Sequence, residues 1–144
     1  MQWEICVAAW LKQIPHCFRN DDAREGGDTH LEDCIFCKIA AGEIGTLVYE
    51  DEHVAAFNDL NPQAPVHVLI VPKKHIARIS DVAEGDDACL MGKILVAANK
   101  IAAQRGIAEE GYRVVANCNE GAGQSVWHVH FHLLGGRKLG WPPG

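Results

Sequence analysis

The sequence predicts an α+β fold, with about five short strands in an antiparallel sheet, one long helix and a short helix near the start of the domain. Three patterns carry this: a nearly continuous apolar run from Val66 to Pro72, a helical repeat from Asp86 to Arg105, and β-compatible segments on both sides of them. In chain order, residues 1–29 read as an N-terminal extension, because RNDDAREGGD from Arg19 to Asp28 is polar and Gly-rich. The domain is expected over 30–144. Asp33 is expected to cap a short helix through CIFCKIAA, which Gly42 ends. TLVYED and HVAAFND follow as a hairpin turning near Asp51 and Glu52. Asn61, Pro62 and Pro65 mark the loop before VHVLIVP, which reads as a central strand buried on both faces. Leu90, Ile94, Ala97, Ala98 and Ile101 recur at helical spacing along the main helix, and Gly106 stops it. YRVVANC and VWHVHFHLL are the last two strands, joined by NEGAGQS.

Composition narrows the function. At 144 residues with 48% hydrophobic and 22% charged residues, the chain is large enough to bury one core without staples. The formal charge of −6 provides no basic stripe to track a polynucleotide, although backbone N–H groups and imidazoles can still hold a single phosphate. No apolar run reaches the roughly 18 to 20 residues that span a bilayer, and the opening residues lack the basic start of a secretory signal. The six cysteines are spread over a chain with an ample core, so they read as reduced and the setting as cytoplasmic.

The most informative stretch is Val126 to Leu134, where His128, His130 and His132 alternate with Val129, Phe131 and Leu133. In a strand this puts three imidazoles on one surface and the apolar residues behind them. Two chemistries fit. Several imidazoles can hold a catalytic metal with an open position for water. Alternatively, one imidazole attacks phosphorus while its neighbours fix its tautomer, a role for a group largely neutral near pH 7.

HVHFHLL is similar to the histidine triad signature, and CIFCKIAAGEI, VYEDEHVAAFNDLNPQAPVHVLIVPKKHI, NEGAGQSV and GGRKLGWPPG resemble the Hint branch of that family, the purine nucleoside phosphoramidases. The resemblance covers nearly everything from Asp33 to Gly144. It implies that His130 is the nucleophile, with His132, His67, His128 and Ser125 completing the catalytic group. It implies a nucleotide pocket of Ile35, Phe36, Ile39, Phe57, Asn58, Asp59, Leu60, Asn117, Gly123, Gln124, Ser125 and Val126 around His130 and His132, in which Asp59 takes the ribose hydroxyls. The implied reaction cleaves a purine nucleoside 5′-phosphoramidate or acyl-nucleotide (AMP- or GMP-type) through a nucleotidyl-histidine, with no catalytic cofactor.

Cys34 and Cys37 form a C-x-x-C pair whose sulfurs can face one ion from a helix start. In the resemblance such a pair joins His75 and His128 around a structural zinc; free buried thiols are the alternative. The resemblance also implies a homodimer, with Trp141 near the partner's site. Two other functions remain open: a dinucleoside polyphosphate hydrolase, which the GGRKLGWPPG tail disfavours, and a nucleotide-binding module with incidental hydrolysis.

Overall fold

The structure, a computed structural model, describes residues 33–144, so the expected extension over 1–29 lies outside the described residues. Helix α1 (Ile35–Ala40) leads into strands β1 (Leu47–Glu50), β2 (Val54–Asn58) and β3 (Val66–Pro72). The long helix α2 (Asp86–Gln104) then precedes β4 (Tyr112–Ala116) and β5 (Phe131–Gly135). The sheet has five strands in the order β1-β2-β3-β5-β4, antiparallel throughout.

Each element follows from its residues. Asp51 closes the β1–β2 hairpin by accepting the N–H groups of His53 and Val54 at 2.9 and 2.8 Å. β3 lies at the centre and is buried on both faces, as its apolar run requires. Val68 and Ile70 meet α2 with Val54 and Ala56, whereas Leu69 and Val71 meet Phe36, Ala40, Ala55 and Phe57 on the α1 face. The helix α2 buries Leu90, Ile94, Ala97, Ala98 and Ile101 at the expected spacing. Burying each of Leu90, Ile94 and Ile101 contributes roughly 1.5–3 kcal/mol. Gly106, at φ +69°, follows its end.

Two expectations are corrected. Cys34, not Asp33, is the N-cap of α1, and it makes no side-chain capping bond because its sulfur turns toward His128 Nδ1 at 3.4 Å. The helix does end at Gly42, whose φ of +75° suits glycine. Cys34, Cys37 and Cys118 are free, but Cys89 is disulfide-bonded, so the reading of all cysteines as reduced fails there.

Candidate active site and metal centre

The expected strand from Val126 to Leu134 is shorter than its pattern, and this changes how the histidines are held. β5 starts at Phe131, opposite Ile70 of β3 and Ala116 of β4, so His132 lies in the ladder while His128 and His130 precede it. The physical reason lies at the end of β3. Pro72 has no N–H to extend the ladder, and its carbonyl is taken at 2.8 Å by Nε2–H of the His128 ring. The segment is held instead by Val129 N–H to Ile76 O at 2.7 Å and by the Gln124 amide, which donates to Ala77 O and Val126 O at 2.8 and 3.0 Å. The alternation survives: Val129, Phe131 and Leu133 pack on the α2 side, and His128 and His130 meet the edge of Phe36 on the α1 side. Their ring centroids lie 6.1 and 5.2 Å from that of Phe36.

Hydrogen bonds fix the tautomers. Gln63 donates its backbone N–H to His67 Nδ1 at 3.0 Å, so neutral His67 carries its proton on Nε2. That nitrogen stands 2.9 Å from His132 Nδ1 and 3.3 Å from Asp59 Oδ2. With Nδ1 accepting, His132 carries its own proton on Nε2, a buried atom with no partner among the described residues. His130 is the reverse. Its Nδ1–H donates to His128 O at 2.7 Å, leaving Nε2 with a lone pair. The two rings are 5.1 Å apart, centre to centre. Neighbouring rings therefore carry a lone-pair nitrogen and an unpartnered N–H donor, a pair suited to attack at a centre that bears an anionic oxygen. Burial pushes His132 down to about 4, with His130 and His67 acting in the same direction, so its ring is neutral near pH 7.

Cys34, Cys37, His75 and His128 converge from α1, the segment after β3 and the segment before β5. Sulfur to Nδ1 distances are 3.4 Å for Cys34–His128, 3.3 Å for Cys37–His75 and 3.4 Å for Cys37–His128, and the two Nδ1 atoms are 3.3 Å apart. Tetrahedral zinc at ordinary bond lengths requires edges of about 3.5 Å for S···N and about 3.3 Å for N···N. The donor set fits. His128 also has its proton on Nε2, committed to Pro72 O, so Nδ1 is free to coordinate. Burial lowers His128 to about 4, keeping it neutral. Burial, with Cys34 adding, raises the Cys37 thiol to about 12, an order that a bound divalent cation reverses by stabilising thiolate. Asp59, His67 and His132 also come together, but Gln63 N–H on His67 Nδ1 keeps a proton where an ion would bind, so this group reads as a proton relay.

The nucleotide-pocket residues divide. Phe36 and Phe57 are buried on the histidine face, with Ile39 and Val126 packed against them. Asp59 reaches that face too, and its Oδ1 accepts Asn61 N–H at 2.7 Å. Asn58 is a correction. It follows Val54 and Ala56 on the α2 side of β2 and accepts a bond from Arg105 at 3.0 Å, so its side chain lies on the wrong face. Ile35 and Leu60 are exposed. In the loop before β5, Gly123 has φ +88° and its α-carbon faces the Asn117 amide, while Ser125 is exposed. Gln124 is also corrected: its side chain is 4% exposed, consumed by Ala77, Val126 and Asn119, and its own N–H goes to Asn119 O, so it braces the loop and has no donor left for phosphate.

The HIT domain model matches residues 43–139. The chain belongs to the HIT family. Among curated HIT-related sequences it is similar to the purine nucleoside phosphoramidase of Escherichia coli K12, at 49% identity over 76% of this chain and 92% of that one. A solved HIT family hydrolase from Legionella pneumophila matches with TM-score 0.75 and 57% identity, covering 78% of this chain and all of that one. A histidine triad protein from Clostridium difficile matches at TM-score 0.72 and 51% identity, over 75% of this chain and 94% of that one. The HIT domain match begins after Cys34 and Cys37, so it does not include two of the four metal-site residues. Within the HIT site, Gln63 was invisible to sequence reading because it acts through its backbone N–H. No helix among the described residues is long and apolar enough to cross a membrane.

Proposed function

We propose that the chain hydrolyses purine nucleoside 5′-phosphoramidates or acyl-nucleotides at the α-phosphorus through a nucleotidyl-His130 intermediate. The observation that carries this reading is the complementary tautomer pair, a lone pair on His130 Nε2 beside a free N–H on His132 Nε2. His130 Nε2 attacks phosphorus in line, and the P–N or P–O bond breaks to release an amine, which takes up a proton, or a carboxylate. His132 Nε2–H meets a nonbridging oxygen as charge builds there, in a site where burial strengthens the bond. Water then displaces the histidine and releases a nucleoside monophosphate. Phe36, Ile39, Phe57 and Val126, with Ile35 and Leu60 at the rim, supply apolar walls suited to a purine. Asp59 keeps lone pairs for the ribose hydroxyls beyond its bond to Asn61. Ser125, with Asn117 and Gly123, faces the leaving group.

The GGRKLGWPPG ending favours this substrate class over a dinucleoside polyphosphate. The phosphoramidase name of the Escherichia coli relative supports the same choice.

Cys34, Cys37, His75 and His128 would hold a structural zinc, whose contribution is rigidity: it fixes the His128 backbone, whose carbonyl orients His130. A homodimer would give the 85% exposed Trp141 a surface to cover near the partner's site.

The test is turnover of adenosine 5′-phosphoramidate by wild type and His130→Ala, with acid-quenched protein examined for a bound nucleotidyl group. Turnover and a trapped nucleotide in wild type, both lost in the variant, support the mechanism. An inactive wild type, or a variant that keeps its rate, moves the binding-module reading to the front.

A further inference from the structure

β5 ends at Gly135, and Gly136 and Arg137 follow it, residues to which the proposed chemistry gives no part. Both glycines sit at close approaches: a Cβ on Gly135 would stand 2.6 Å from Ile107 Cδ1, and Gly136 has φ +83° with its would-be Cβ 3.0 Å from Pro65 Cβ. Gly135 thus packs on the segment after α2, and Gly136 is pressed against the turn between β2 and β3. Arg137 donates there through one terminal nitrogen to Gln63 O at 3.0 Å and through the other to Lys138 O at 3.1 Å. Gln63 also donates its side-chain amide to Asn61 O at 2.9 Å, and its backbone N–H is the group that meets His67 Nδ1.

We propose that Arg137 is a positioning residue for the active-site histidines, acting through Gln63: it holds the turn so that Gln63 N–H selects the His67 tautomer that leaves His132 with a free Nε2–H. The effect on rate rests on the phosphoryl-transfer reading, whereas the tautomer is a property of the free protein.

A neutral imidazole carries one proton, so the direction of a histidine chain is set by whatever binds its far end. With Gln63 N–H in place, the chain runs Gln63 N–H to His67 Nδ1, then His67 Nε2–H to His132 Nδ1, and ends on the His132 Nε2–H donor. If the turn relaxes, His67 can hold its proton on Nδ1 and present a lone pair from Nε2. His132 must then turn its proton inward to Nδ1, and the donor facing the site is lost. The proton count is unchanged; only the direction of the chain reverses. Asp59 Oδ2, 3.3 Å from His67 Nε2, favours the productive direction, so loss of Arg137 weakens the selection without abolishing it. With wild type almost wholly in the productive direction, a weakened selection that leaves about a third to a half of the molecules productive lowers kcat roughly twofold to threefold.

The experiment compares wild type with Arg137→Ala and Arg137→Lys, each also in a His67→Ala background. Imidazole nitrogen shifts are read in histidine-labelled free protein, and kcat and KM are measured with adenosine 5′-phosphoramidate. Arg137 is exposed, so folding should be preserved, as the melting temperature checks. The expected result is His132 protonated on Nε2 in wild type and mixed in Arg137→Ala. In that variant kcat falls about twofold to threefold with KM essentially unchanged, and Arg137→Lys recovers part of the loss, because an ammonium can reach the same carbonyl. In the His67→Ala background, Arg137→Ala should cost nothing further. An unchanged His132 tautomer in Arg137→Ala, or an equal rate loss with and without His67, overturns the proposal. If wild type does not turn over the substrate, the functional reading fails and the nitrogen shifts alone decide the role of Arg137.

Discussion

A zinc ion held, as proposed, by Cys34, Cys37, His75 and His128 should stabilise the whole domain, and the donor geometry sets the size of the effect. The donor atoms already stand at tetrahedral edges of 3.3 to 3.4 Å, so binding requires little rearrangement of the fold. The metal then stabilises the native state by RT ln(1 + [Zn]/Kd), about 4 kcal/mol when free zinc is a thousandfold above Kd. For a domain of this size, each kcal/mol moves the melting temperature by roughly 4 °C, so chelation should lower it by on the order of 15 °C. Scanning calorimetry with and without EDTA, alongside metal analysis of the purified protein, measures this. Cys37→Ala should remove both the bound metal and the EDTA effect, while Cys118→Ala, a free thiol outside the cluster, should remove neither. Wild type with no bound zinc, or with a melting temperature indifferent to EDTA under zinc-replete conditions, refutes the metal-centre reasoning. Activity should decline on chelation only as the His128 carbonyl loses its place, because that carbonyl is what orients His130.

Two further predictions follow from the geometry. His132 is held down to about 4 by burial and by its histidine neighbours, against an ordinary value of 6.5, so folding favours its neutral form. Its contribution is fully present above pH 6.5 and is lost as pH falls toward 4, about 3 kcal/mol in all, and a His132→Gln variant should show a shallower loss of stability in acid denaturation over that window. Asn58→Ala should leave KM for a nucleoside phosphoramidate within about twofold, since its side chain meets Arg105 on the α2 face; a large rise in KM would mean that the side chain turns toward the nucleotide.

Local pattern made most of the scaffold legible. The Val66–Pro72 run became the central strand with the expected bounds, because a strand buried on both faces has no polar face to record. The helical repeat from Leu90 to Ile101 became the face of α2, and the paired segments around Asp51 became the β1–β2 hairpin. Asn58 was misread although the period of two was available: adjacent residues of a strand point to opposite faces, so Asn58 and Asp59 cannot both serve one site through their side chains.

The sequence by itself determined the α+β class, the alternation that sends His128 and His130 one way and Val129 and Leu133 the other, and the C-x-x-C pair at the start of a helix. These are short-range properties of spacing, expressed wherever a segment buries one side. Tertiary structure alone decided where β5 begins, because the carbonyl of Pro72 goes to the His128 ring. It alone made Cys34 a cap without a capping bond, consumed the Gln124 amide in bracing a loop, and set the His67 and His132 tautomers through Gln63 and Arg137. Cys34 is set by a contact between side chains, with His128 Nδ1, and the other three share one physical reason. A hydrogen bond to a backbone carbonyl or N–H depends on which distant segments meet, and the backbone carries the same groups at nearly every residue, so residue types along the chain leave no mark of it.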